Sequence, residues 1–135
     1  MHRRYSNDCW RLMKKLIPVL VFASFAWSLY LVMGVVLGAD YALTRAAGGQ
    51  FEAFPTYLRF LYLINTAVIL WQISVYLRLL QNKVIQPQWT LKVFVIIGAL
   101  GTMANAASRS ADERWNAIPL LVTTLVFWSH RRKIK

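Results

Sequence analysis

The side chains that could do chemistry in this chain fall into two sets. Ser28, Asn65, Gln72, Thr102 and Asn105 lie inside long apolar runs, and Arg109, Asp112, Glu113 and Arg114 crowd one short segment between two such runs. An amide that faces lipid has no water to satisfy it, so the first set is expected to face inward. There it can line a path for a small solute, or it can hold helices together where lipid supplies no hydrophobic drive. The second set, with Arg45 and Arg59, reads as an outer docking surface, an anion or headgroup site, or a solvated loop with local ion pairs.

No catalytic set is visible. His2 and His130 stand in the terminal tails, and no H-x-x-x-H, C-x-x-C, G-x-S-x-G or glycine-rich phosphate loop occurs. A single cysteine, Cys9, excludes an internal disulfide and a thiolate metal cluster. The acids are Asp8, Asp40, Glu52, Asp112 and Glu113, and none falls in the middle of an apolar run. A small proton-coupled exporter needs a buried carboxylate as its relay. Its lack separates this chain from small multidrug exporters, which have similar size and span number. The expectation is a non-enzymatic protein with no cofactor and no metal.

These residues need a scaffold, and composition limits what it can be. The 135 residues are 58% hydrophobic and 16% charged, against about 25% charged in a soluble domain. Such a chain cannot cover a soluble globule with polar surface. Four apolar runs approach or reach the roughly 20 residues that cross a bilayer. The net charge of +11 gathers at the two ends, which fits membrane topology and anionic lipid at the basic termini, and argues against nucleic acid as partner. The basic start followed by an apolar run imitates a signal peptide, but the run 16–38 is longer than a signal core and three more follow, so it is read as an uncleaved span.

The predicted fold is all-α: one domain, a four-helix transmembrane bundle with spans at 16–38, 56–80, 91–107 and 115–129. Residues 1–15 read as a basic tail with Trp10 at headgroup depth. Gly34 and Gly38 form a small-xxx-small pair that permits close helix approach. Spans 2 and 3 run in opposite directions, which brings Asn65 and Asn105 to similar depth and predicts a bond between them, direct or through water. Ser110 and Glu113 have capping-box spacing. Asn116 is a rival cap, and the choice decides whether Pro119 kinks the last span or sits in its first turn. Trp115 and Trp128 suit an aromatic belt. Lysine and arginine outweigh the outer loops at both ends, which places both termini in the cytoplasm and the protein in the plasma membrane.

The stretch NAASRSADERWNAIP, 105–119, resembles the third loop of short four-span bacterial membrane proteins of actinobacterial type, whose activity is uncharacterised. The resemblance implies a four-helix membrane fold and no activity. The leading expectation is an accessory or assembly subunit of a larger membrane-protein partner, or a self-associating membrane factor. A small oligomeric transporter or channel is the alternative, and a membrane immunity protein the third.

Overall fold

A computed structural model describes residues 2–131, with side chains throughout except those of residues 2–11 and 14. The side chains of Trp10, Arg11 and Lys14, and all of Arg132, Lys133 and Lys135, on which the lipid contact at the termini was expected, lie outside the described residues. Among the described residues the chain is all-helical, with no strand. Helix α1 spans His2–Leu37, α2 Asp40–Leu43, α3 Thr56–Leu80, α4 Thr90–Ala106, α5 Ala111–Arg114 and α6 Ala117–Arg131. Two segments, Lys15–Leu37 and Thr56–Leu80, are long and apolar enough to cross a membrane, and α4 is apolar but shorter.

Each helix end has a local cause. Gly38 stops α1 with φ +74°, while Ala39 N–H donates to Gly34 O at 2.8 Å and Gly38 N–H to Val35 O at 3.1 Å. That pair of bonds is the Schellman arrangement. Arg59, in the first turn of α3, adds a charge-assisted bond from Nε to Val36 O at 2.7 Å. An arginine expected to reach outward thus caps the carbonyl end of α1, where the helix dipole favours a cation. The close approach that Gly34 permits is to Tyr41 of the short helix α2. The Tyr41 ring lies over Gly34, so close that a Cβ would meet the ring carbon Cζ at 2.6 Å. Tyr41 also stacks on Tyr30 at 4.4 Å and donates to Tyr30 O at 2.8 Å.

The rival starts of the last helix are both used. Ser110 caps the single turn α5, its Oγ accepting from Glu113 N at 3.4 Å. A separate helix, α6, then begins at Ala117, so Pro119 falls in a first turn, where its missing N–H costs nothing. The Thr123 and Thr124 hydroxyls bond back to carbonyls of their own helix, at 3.0 Å and 2.6 Å to Leu120 O.

The long helices pack in the order α3–α1–α6–α4: α4 runs along α6, and α1 lies against both α3 and α6. Gly98 lets α4 and α6 approach, because any Cβ there would overlap Thr124. At one end the helices interlock through aromatic rings. Tyr76 of α3 meets Phe25 of α1 at 6.2 Å, Phe25 meets Phe127 of α6 at 6.4 Å, and Phe127 meets Phe94 of α4 at 5.1 Å. Phe94 closes the circuit on Trp71 of α3 at 4.8 Å. Phe25, Tyr76, Phe94 and Phe127 are all buried, and Ile85 of the α3–α4 link joins the same cluster. At the other end a second apolar cluster of Val35, Ala42, Ala46 and Phe54 seats the 39–55 loop on α1 and α3.

Two expected outcomes follow from this packing. Phe127→Ala removes the ring that joins two neighbours in the circuit and should lower unfolding stability by about 3 kcal/mol, read by thermal unfolding in mild detergent. Gly98→Val should destabilise by separating α4 from α6, and Thr124→Ala added to it should recover part of the loss. Wild-type stability in Gly98→Val would contradict the close approach.

Candidate functional site

Between the two apolar clusters lies a cavity of about 120 Å³. All four long helices line it. Trp27, Ser28, Leu31 and Val32 come from α1, Tyr62, Asn65, Val68, Ile69 and Gln72 from α3, Ile97, Gly98 and Asn105 from α4, and Pro119, Leu120 and Thr123 from α6. Arg45, Glu113 and Asn116 reach it from the loops at one end. The aromatic circuit begins at the level of Gln72, with Trp71 beside it and Tyr76 one turn farther toward the opposite end.

The cavity gathers Ser28, Asn65, Gln72 and Asn105, four of the five residues of the polar stripe. Thr102 is not among the lining residues, and its hydroxyl donates to Gly98 O at 2.7 Å. Asn105 donates its amide to Gly101 O at 2.8 Å, and no direct bond joins it to Asn65. Among the described residues, the side chains of Ser28, Asn65 and Gln72 make no hydrogen bond to protein. Gln72 is only 9% exposed. Its amide is nevertheless reached from the cavity, since among the described residues the fully buried side-chain atom without a partner is Thr90 Oγ1. Interhelical glue would show these groups bonded to one another; here they converge on a shared space.

Asn116, 3% exposed, is the organising residue that the sequence reading weighed only as a cap. Its Oδ1 accepts from Trp27 Nε1 at 3.0 Å and its Nδ2 donates to Arg45 O at 2.8 Å. The Arg45 guanidinium lies over the Trp27 ring, 5.7 Å from its centroid. This one side chain thus ties α1, the 39–55 loop and the start of α6. The spacing signal for it is slight, since a lone Asn before a proline-bearing helix start reads as a cap.

The charged outer set divides. Arg109 and Asp112 are exposed. Arg114 donates from Nε to Ser108 O at 2.8 Å instead of pairing with an acid. Glu113 is half-buried and turns inward, where its Oε2 accepts from Gly48 N–H at 2.8 Å and from the Ser108 hydroxyl. Ser110 Oγ donates to Thr44 O. The 108–116 turn is therefore clamped onto the 39–55 loop by Glu113, Ser110 and Asn116. Gly48 takes φ +74°, and this conformation accompanies the bond from its N–H to the carboxylate.

No group of three or more His, Cys, Asp or Glu suited to a metal occurs among the described residues. The chain matches no family model, no curated protein and no solved structure.

Asn116→Ala removes both ties and leaves Trp27 Nε1 and Arg45 O unpaired. At about 1 kcal/mol for each hydrogen bond, a loss of about 2 kcal/mol is expected, together with faster amide exchange in residues 39–55. Asp112→Ala, at an exposed side chain, should change neither.

Proposed function

We propose that this chain is a four-span plasma-membrane protein with both termini in the cytoplasm, and that it binds a small ligand through hydrogen bonds in its central cavity, without catalysing a reaction. α1 and α3 supply the two full-length crossings. α4 and α6 complete the bundle with help from tilt and from the interfacial side chains at their ends. The exposed apolar faces, among them Leu61, Ile64, Ile96, Leu100, Leu121 and Leu125, then meet lipid. The aromatic circuit lies on the cytoplasmic side, and the clamped loops lie outside.

The observation that carries the reading is Gln72, a nearly buried amide that no protein group satisfies, together with Ser28 and Asn65 facing the same space. Side chains without a protein partner that face one shared space offer their hydrogen bonds to whatever occupies it, a ligand included. This favours the transporter-like alternative over the accessory-subunit reading, which rests on exposed helix faces that lipid covers equally well. The cavity ends at the aromatic circuit, so the conformation is that of a carrier closed on its cytoplasmic side.

The test uses the unliganded protein. If Gln72 serves a ligand, Gln72→Leu removes an unsatisfied amide, so Tm in mild detergent should hold or rise by a few degrees, while uptake of small polar solutes such as glycerol into proteoliposomes falls. If Gln72 holds helices together, the same change lowers Tm, and that result would overturn the reading. A reporter fused after Lys135 should read cytoplasmic; a periplasmic signal would reverse the orientation.

A further inference from the structure

Loop residues Arg45, Glu113 and Asn116 line the outer end of the cavity. That end carries the 39–55 loop, fixed by Asn116 and by the buried side chains of Ala46 and Phe54. The weak seam lies between α3 and α4. These two helices lack the extended contact that joins α4 to α6, α1 to α3 and α1 to α6. What holds them is aromatic and sits at the inner end, where Trp71 meets Phe94 and Trp89.

Asn65 marks where the seam opens. It lines the cavity and is nonetheless exposed, whereas Gln72, seven residues farther along the same helix, is buried. At 1.5 Å per residue, Asn65 lies about 13 Å below the outer end of α3, which is hydrocarbon depth in a bilayer. The outer halves of both helices carry exposed apolar side chains: Leu61 is 56% and Ile64 50% exposed on α3, and Leu100 is 62% exposed on α4.

The lining narrows what can enter. The charged residues that line the cavity, Arg45 and Glu113, belong to the outer loops, and Glu113 is already engaged by Gly48 and Ser108. The deeper lining, Ser28 and Gln72, is uncharged and can both donate and accept. A charged head would lose its hydration there without a counter-charge. The cavity, about 120 Å³, has room for several waters or for a small polar group.

We propose that the cavity takes the uncharged, hydrogen-bonding head of a lipid-phase amphiphile, which enters sideways between α3 and α4 and leaves its tail in the bilayer. The inference rests on the ligand-binding reading above and adds the route and the chemical class.

Two measurements test it. With Cys9 replaced by Ser, a nitroxide on Asn65→Cys in phosphatidylcholine nanodiscs should collide more with oxygen than with a water-soluble nickel chelate, as a label on Leu61→Cys does. A label on Asp112→Cys should show the reverse. Nickel access at Asn65 equal to that at Asp112 would overturn the lateral route. For the class, wild-type protein is heated with 1-decylglycerol, decyl phosphate or decyltrimethylammonium, each below its micellar concentration. The neutral head should raise Tm by several degrees, and Gln72→Leu should abolish that rise. An equal or larger rise with a charged head, a rise that survives Gln72→Leu, or none at all would overturn the class. If Gln72→Leu nevertheless stabilises the unliganded protein, the binding reading stands and only this inference falls.

Discussion

The closed circuit of aromatic contacts at one end of the helices is the constraint on which the remaining structure depends. Tyr76, Phe25, Phe127, Phe94 and Trp71 connect α3 to α1, α1 to α6, α6 to α4 and α4 back to α3. Each aromatic pair contributes roughly 0.5–1.5 kcal/mol beyond burial, and a circuit of them fixes four helices at once. With that end locked, the other end is free to differ. Small side chains let α4 press against α6 at Gly98 and Thr124, and this draws α4 toward α6 along its length. The seam between α3 and α4 is left without comparable contact, and the space inside it becomes the cavity.

The opposite end is held by directional bonds. Asn116, Glu113 and Ser110 each link the 108–116 turn to the 39–55 loop, using backbone groups of Arg45, Gly48 and Thr44. Carboxylate and amide side chains here take the place of the ion pairs that six nearby charges would suggest. The reason is geometric. A glycine with positive φ and short loop segments present N–H and C=O groups that need partners, and Glu113 and Asn116 are close enough to supply them. Arg45 then lies over Trp27, at the border between the tied loops and the cavity.

Much of the fold was legible in the sequence. Apolar runs gave the extents of α3 and α4 nearly as observed, and the start of α3 after Pro55 followed from proline chemistry. Helical periodicity places Asn65 and Gln72 on one face of α3, and the packing of α1, α3 and α4 brings Ser28, Asn65, Gln72 and Asn105 to one cavity. Other features were not legible. The reach of α1 back to His2 was hidden by its basic residues, which lower hydropathy but are good helix formers. The role of Gly34 depends on Tyr41, which a loop brings back over it, and no spacing rule within one helix contains that contact. Glu113 looked like part of an exposed charged surface because sequence gives neighbours along the chain, whereas its partner Gly48 lies 65 residues away. The resemblance at 105–119 covered this same turn, and its polar residues prove to bind the protein's own loops.

The central claim is that Gln72 faces a polar space and is not bonded to the helices around it. The most direct measurement is the contact between its side-chain amide protons and water, read by NMR magnetisation transfer from water in protein reconstituted in bicelles. The account predicts transfer to the Gln72 amide, with none to the backbone amides of Ile69 and Ile73 on the same helix. A Gln72 amide without water contact, coupled instead to a carbonyl of a neighbouring helix, would contradict it.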